Sequence, residues 1–131
     1  RNYGILDLFP SWLPQYNEIR SSEFLRSSNL FIIPANAYPD AHFTMLDTTE
    51  DEVQGSLISL FDKSLTMKTV LEKNLAEINA GTTNFHSYYG PGNYHCITMN
   101  PVFYEYSVNN TRLADWFARL EAGQPVENVA P

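Results

Sequence analysis

Residues 41–57 read AHFTMLDTTEDEVQGSL, and this stretch decides the fold class. Residues 41–46 alternate between two sets of side chains, as the two faces of a β-strand do. The segment Thr49-Glu50-Asp51-Glu52 has the form of a capping box, in which Thr49 caps a helix and Glu52 returns to it. Apolar residues then recur at helical spacing, namely Val53, Leu57, Leu60 and Phe61. The stretch therefore predicts a strand, a tight turn and a helix with an apolar face.

Three more elements are predicted toward the C-terminus. A helix over 65–80 ends at Gly81 and turns one apolar face inward, formed by Met67, Val70, Leu71, Leu75 and Ile78. Its outward face is predicted to carry two i,i+4 ion pairs, Lys68 with Glu72 and Lys73 with Glu77. A strand over 83–89 leads into the loop 90–96 (GPGNYHC), which two glycines and a proline bend sharply. A last helix over 111–122 ends at Gly123 and has a buried stripe of Leu113, Trp116, Phe117 and Leu120.

The N-terminal part of the chain is less regular. Residues 1–14 are punctuated by glycine and proline, yet they are apolar enough that they must pack on something. Residues 14–28 have weak helical periodicity. Residues 30–33 are predicted to form either a short apolar helix end or a strand.

The order strand, helix, helix, strand, helix is typical of the edge of an α/β sheet covered by helices. Two strands are too few for a doubly wound sheet, and a two-stranded parallel pair leaves long edges unsatisfied. We therefore expect an α/β fold in which residues 1–131 are the C-terminal part of a single larger domain.

Composition excludes some partners. The chain has 131 residues, of which 8 are Lys or Arg and 15 are Asp or Glu, so its net charge is −7. A protein that neutralises phosphates needs clustered basic residues, so nucleic acid is not an expected partner. No apolar run approaches the roughly 18 to 20 residues of a spanning helix, so no membrane span is expected.

Asp51 and His95 are the candidates for chemistry. Asp51 lies in the turn after the first predicted strand, and ligands of α/β domains bind beyond the C-terminal ends of strands. An acid in the first helical turn also complements the helix dipole, so a purely structural role is the alternative. His95 lies on the sharply bent loop and has the near-neutral pKa of a general base. Its alternative is a loop histidine that hydrogen-bonds to the backbone.

The other candidate residues carry weaker signals. His42 and His86 are predicted to be ordinary strand residues, and no pair of histidines has the HxH or HxxxH spacing of a metal site. No metal ion and no cofactor is therefore predicted. The single cysteine, Cys96, is predicted either to be a small buried hydrophobe or to pair with a segment outside this chain. Asn109-Asn110-Thr111 is a possible N-glycosylation sequon in a polar turn.

The sequence contains no recognisable motif for a catalytic serine nucleophile. No G-x-S-x-G occurs, and the Gly55-Ser56 pair falls inside a predicted helix where a strained elbow cannot form. The order Asp51 and then His95 matches the last two members of an α/β-hydrolase triad, whose serine comes first. A serine is therefore expected upstream of Arg1.

Several segments resemble the pectinacetylesterase (Notum-like) family of α/β-hydrolases. The segment 51–54 (DEVQ) resembles the family's acid-bearing D-E-x-Q segment, and 88–97 (YYGPGNYHCI) resembles its G-x-x-H loop. Residues 3–8 (YGILDL) and 10–12 (PSW) are similar to the bacterial and microbial branch. The remaining similar segments are 38–43 (YPDAHF), 103–104 (FY), 113–116 (LADW) and 123–126 (GQPV).

The resemblance implies a secreted serine carboxylesterase in which Asp51 orients His95 and His95 takes the proton of the serine. Its substrate would be an ester, with acetylated polysaccharide as the family's expectation. Its partner would be the N-terminal segment that carries the serine, so this chain alone would not be a competent enzyme. The alternative from another class is a non-catalytic, hydrolase-like structural or binding subunit of a larger assembly.

Overall fold

The computed structural model describes Pro14 and residues 26–131, so the predictions for residues 1–13 and for most of 14–28 lie outside the described residues. The described elements, in chain order, are α1 (Asn29–Ala37), β1 (Phe43–Thr48), α2 (Glu52–Ser59), α3 (Met67–Gly81), β2 (Phe85–Gly90), 3₁₀ turns at Ile97–Met99 and Pro101–Tyr104, β3 (Ser107–Val108), β4 (Thr111–Arg112) and α4 (Leu113–Glu121). The short apolar segment at 30–33 is thus helical.

The centre of the fold is a parallel pair of strands. β1 pairs with β2 in a register that runs from Phe43 opposite Phe85 to Thr48 opposite Gly90. On the other side of β2, Tyr88 forms a parallel bridge with Val129 near the C-terminus. β3 and β4 form a separate antiparallel hairpin. Helices and small sheets are mixed, which confirms the coarse α/β class.

Helices cover both faces of the parallel pair, because alternate strand residues point to opposite sides. On one face, Phe85 packs with the buried residues of α3, which are Met67, Leu71, Leu75 and Ile78. On the other face, Tyr88 packs with Leu113, Trp116 and Leu120 of α4. The sequence pattern predicted these two buried helix faces, and both are confirmed.

α3 begins with a capping box, but at a position the sequence did not indicate. The Thr66 hydroxyl accepts from the N–H of Thr69, and the Thr69 side chain bonds back to the N–H of Thr66. The predicted pair of Lys68 and Glu72 is present at 3.8 Å on the exposed surface. Glu77, predicted to pair with Lys73, accepts a hydrogen bond from the Ser28 hydroxyl at 2.6 Å.

The predicted ends of β1, β2 and α3 are displaced by one or two residues, and the starts of α2 and α4 were assigned to the wrong residues. The cap of α2 is Asp51 and not Thr49, so the helix begins at Glu52. The last helix begins at Leu113 and not at residue 111, because Thr111 and Arg112 belong to the β3–β4 hairpin. The turn of that hairpin is Asn109-Asn110, with φ of 49° and 62°, which asparagine tolerates well and two-residue hairpins require.

The apolar face predicted for α2 is exposed. Leu60 and Phe61, at the end of this helix, are 78% and 84% exposed, and Val53 and Leu57 are also exposed. The spacing is that of an amphipathic helix, but the described residues do not cover the apolar side. Within the described part of the chain, no helix combines the length and apolar character needed to cross a membrane.

Candidate functional site

Two loops meet at one edge of the parallel pair. The loop after β1 contains Asp51, and the loop after β2 contains His95. Because β1 and β2 are parallel neighbours, their C-terminal ends lie side by side. The crevice beyond the C-terminal strand ends is the usual ligand site of open α/β sheets. The fold therefore brings the two predicted site residues to the same edge.

Backbone hydrogen bonds hold the two loops together. The N–H of Thr49 donates to the carbonyl of Gly90 at 2.9 Å, and the N–H of Glu50 donates to the carbonyl of Gly92 at 3.0 Å. The Glu50 carboxylate in turn accepts from the N–H of Gly92. The N–H of Glu52 also donates to the side-chain oxygen of Asn93 at 2.9 Å, and the N–H of Tyr94 donates to the hydroxyl oxygen of Thr48 at 3.0 Å. These bonds fix the loop that carries the histidine against the loop that carries the acid.

The glycines of this loop are required by space and by backbone conformation. A Cβ on Gly90 would lie 2.6 Å from the hydroxyl of Tyr106 and even closer to Val108. Gly92 has a φ of 131°, which side chains rarely tolerate. The Tyr106 hydroxyl also donates to the carbonyl of Pro91 at 2.6 Å. Close packing at Gly90 therefore lets Tyr106 reach and hold the loop.

Asp51 and His95 are in direct contact. The Oδ2 atom of Asp51 lies 2.9 Å from Nδ1 of His95. The Asp51 side chain is 1% exposed, whereas the His95 side chain is 46% exposed. Because Nδ1 is engaged with the acid, Nε2 is the ring nitrogen left to exchange a proton with another group. In catalytic triads, a buried carboxylate orients an accessible imidazole through a contact of this kind.

Asp51 also caps α2, so both roles considered from the sequence occur in one side chain. Its Oδ1 atom accepts from the backbone N–H groups of Val53 at 2.9 Å and Gln54 at 3.0 Å. Its Oδ2 atom is left for His95. The cap holds the carboxylate in place, which fixes the direction in which it presents Oδ2.

Gln54 and Asp47 complete the surroundings of the acid, and neither was singled out as a site residue from the sequence. The Gln54 side-chain amide donates to Oδ2 of Asp51 and to both oxygens of Asp47, each at 3.1 Å. Asp47 also accepts from the N–H of Thr48 at 2.8 Å. A signal for Gln54 was present, since it lies three residues after the true cap, where a capping-box Glu or Gln belongs.

The two carboxyl groups have pKa values that shift in opposite directions. Burial raises the pKa of Asp47, and its hydrogen bonds with Thr48 and Gln54 only partly offset this. Burial also acts to raise the pKa of Asp51, but hydrogen bonds from the Gln54 backbone, His95 and the Gln54 side chain outweigh it. The pKa of Asp51 is therefore lower than usual, and this carboxyl is ionised at neutral pH, as a partner of an imidazolium must be.

No serine hydroxyl in the described part of the chain is hydrogen-bonded to His95. Ser56 is exposed within α2, as its sequence context predicted. An open depression of about 460 Å³ runs between the start of α2 and α3; its lining includes Asp51 but not His95. The described residues thus place a carboxylate beside an imidazole, with the carboxylate, but not the imidazole, among the residues that line this depression.

Cys96 is exposed, so the first of its two predicted alternatives, a small buried hydrophobe, is wrong, and pairing with a segment outside this chain stays a prediction. It directly follows His95 and has a left-handed backbone, with φ of 54°. Such a conformation is uncommon for residues other than glycine and marks a sharp change of chain direction. Here it ends the histidine loop and begins the first 3₁₀ turn.

The structure brings His42 and His86 together, although their sequence spacing gave no indication of it. Nδ1 of His42 lies 3.1 Å from Nε2 of His86. In the described part of the chain, no cluster of three or more His, Cys, Asp or Glu side chains is arranged to hold a metal ion. Asn109 is exposed in its hairpin turn, and its side-chain amide donates to the carbonyl of Ala130 at 2.8 Å.

Comparisons with protein-family models, with curated proteins and with solved structures find no match to this chain.

Proposed function

We propose that this chain carries the acid and the base of a serine carboxylesterase of the pectinacetylesterase-like type. The observation that carries the proposal is the 2.9 Å contact between Oδ2 of Asp51 and Nδ1 of His95. The contact lies where two parallel strands end side by side. In this proposal residues 1–131 are the C-terminal part of an α/β-hydrolase domain.

The reaction is acyl transfer through a serine. Nε2 of His95 takes the proton of the serine hydroxyl as its oxygen attacks the ester carbonyl. The resulting imidazolium gives that proton to the departing alcohol, which leaves an acyl-serine. Water, deprotonated by the same nitrogen, then releases the carboxylic acid and restores the serine.

Asp51 acts through His95. Its ionised carboxylate accepts the Nδ1–H of the imidazole, which selects the tautomer with a lone pair on Nε2 and stabilises the imidazolium. The lowered pKa of Asp51 supports this role, because the carboxylate stays charged through the cycle. The Gln54 side-chain amide also donates to Oδ2.

The serine is proposed to come from a segment upstream of Arg1, together with the strands that would continue the sheet. Two features of the described residues support a partner segment. In the described part of the chain β1 pairs with β2 alone, so its other edge is available to a further strand. The apolar side of α2, with Leu57, Leu60 and Phe61, is exposed and suited to burial.

The proposed substrate is a carboxylic ester, with acetylated polysaccharide as the class suggested by the family resemblance. The proposed location is extracellular, with N-glycosylation at Asn109. Exposure of the Asn109 turn supports access by a glycosyltransferase, and the hydrogen bond to Ala130 uses only one of the two amide protons.

The test is labelling of the native, full-length protein with a fluorophosphonate probe, followed by mass mapping of the labelled peptide. We expect one labelled serine in an upstream segment, and loss of labelling in a His95→Ala variant that keeps the parent's circular dichroism. A full-length preparation that contains the upstream segment and takes up no label would contradict the proposal. That result would favour the non-catalytic structural or binding subunit.

A further inference from the structure

A pair of imidazoles lies at the opposite, N-terminal end of the parallel strands. His42 directly precedes β1, and His86 is the second residue of β2. Nδ1 of His42 and Nε2 of His86 are 3.1 Å apart, and the two ring centroids are 5.2 Å apart. β1 is six residues long, so at about 3.3 Å per residue this pair lies about 20 Å from the C-terminal edge. It is a separate feature from the Asp51–His95 pair.

The spacing of the two nitrogens suits chelation. With metal–nitrogen distances of about 2.0–2.1 Å, nitrogens 3.1 Å apart subtend about 100° at a shared metal ion, between the square-planar and tetrahedral angles. We propose that His42 and His86 form a two-histidine binding site for a divalent transition-metal ion such as Zn²⁺, Ni²⁺ or Cu²⁺.

The ligand set defines the class of metal. Two imidazoles without a carboxylate suit zinc, copper and nickel, whereas magnesium and calcium prefer oxygen ligands. His42 is exposed and His86 is half-buried, so water can fill the remaining coordination positions. The bound ion would connect the start of β1 to the start of β2.

The test is isothermal titration calorimetry, in which the full chain is titrated with ZnCl₂. The parent protein carries Cys96→Ser, because the exposed thiol could otherwise act as a metal ligand. We expect one Zn²⁺ per chain and no heat with MgCl₂. His42→Gln and His86→Gln should each weaken binding about tenfold or more. His95→Gln removes the third histidine of the chain and serves as the matched control, with unchanged affinity.

The same variants give a second readout with CuCl₂, whose electron paramagnetic resonance spectrum should show two coupled nitrogens in the parent and one in His42→Gln. Circular dichroism without metal checks the fold, and exposed His42 supplies the informative variant if His86→Gln does not fold. The proposal is overturned if the parent shows no saturable Zn²⁺ or Cu²⁺ binding below 1 mM. It is equally overturned if His42→Gln binds as tightly as the parent, or if His95→Gln alone abolishes binding.

Discussion

Oδ2 of Asp51 lies 2.9 Å from Nδ1 of His95, although the two residues are separated by 44 positions in the chain. The contact depends on the parallel pairing of β1 with β2, which places the two following loops side by side. It depends also on the cap of α2, which uses the other oxygen of the same carboxylate. The acid is therefore held by local structure, and the base reaches it through the fold.

The first prediction concerns esterase activity of the protein that contains the serine-bearing segment. His95→Ala should lower kcat/KM by about 10⁴-fold, because no group remains to take the serine proton, and Asp51→Asn should lower it to a similar extent because the tautomer is wrong. Hydrolysis of a p-nitrophenyl ester measures both. Asp115→Asn is the matched control, since Asp115 is an exposed acid in the first turn of α4, paired with Arg112. Turnover by His95→Ala at the parent's rate would exclude the proposed mechanism.

The second prediction compares two carboxyl groups that share Gln54. Asp47→Asn should raise the free energy of unfolding at pH 7, because burial disfavours the charged form and asparagine still accepts from Thr48 and Gln54. Asp51→Asn should lower it by about 1–3 kcal/mol, because hydrogen bonds to a buried charge are lost. Urea denaturation of both variants measures these differences. If Asp51→Asn were more stable than the parent and Asp47→Asn less stable, the prediction that the charge of Asp51 stabilises the protein and that of Asp47 destabilises it would be wrong.

The pH dependence of these two variants follows from the direction of each shift. The pKa of Asp51 is lowered in the folded protein, so its stabilising effect is fully present above about pH 5, where the unfolded carboxyl is also ionised, and is lost as the pH falls through the folded value. The pKa of Asp47 is above 3.8, so its destabilising effect develops as the pH rises through that range and is constant above it. On acidification, the stability difference for Asp47→Asn should therefore shrink as the pH falls from the raised folded value toward 3.8, and that for Asp51→Asn should shrink as the pH falls from about 5 through the lowered folded value. A difference for Asp47→Asn that grows on acidification would contradict the raised pKa.

The third prediction concerns Gln54, whose amide donates to both acids. Gln54→Leu has a similar volume and no donor, so it leaves buried Asp51 and half-buried Asp47 without this partner and should destabilise the protein by about 1–3 kcal/mol. It should also raise the pKa of Asp51, since the Gln54 side chain helps to lower it. Carbon-13 NMR titration of the Asp carboxyls measures that shift. An unchanged Asp51 titration would show that the Gln54 amide does not act on this carboxyl.

Local patterns in the sequence predicted most of the elements. The 3.6-residue period predicted α3, and it predicted the buried stripe of α4. Alternation of side chains predicted β1 and β2, with their ends displaced by one or two residues. Caps were less predictable, because Thr49 and Asp51 both precede the first turn of α2 and only the backbone geometry decides between them. The two predicted site residues were identified because each follows a strand on a loop.

Contacts that depend on strand register were not predicted. The pair of His42 and His86 forms because β1 and β2 align Thr44 with His86, and spacing along the sequence contains no such information. The bridge from Gln54 to Asp47 likewise needs the turn between β1 and α2 to fold back on the strand. The exposure of Phe61 could not be predicted either, because a helical period shows that a face is apolar but not what covers it.

The last prediction concerns the packing that holds the histidine loop. Gly90→Ala places a methyl group against the hydroxyl of Tyr106 and the side chain of Val108, so it should lower the free energy of unfolding by about 1–3 kcal/mol. Gly55→Ala is the matched control in α2, where the new methyl group meets Met67 at an ordinary 4.0 Å. Because alanine favours a helix over glycine, this control should be stabilised by about 0.5–1 kcal/mol.

Urea denaturation of the two glycine variants measures the contrast, and esterase assays of the complete protein extend it to function. Gly90→Ala should displace Tyr106 from the carbonyl of Pro91 and so release the loop that carries His95. Activity should fall in this variant even under conditions where it remains folded, whereas Gly55→Ala should retain the parent's activity. Equal stability of Gly90→Ala and the parent would show that the close approach at Gly90 does not hold the loop.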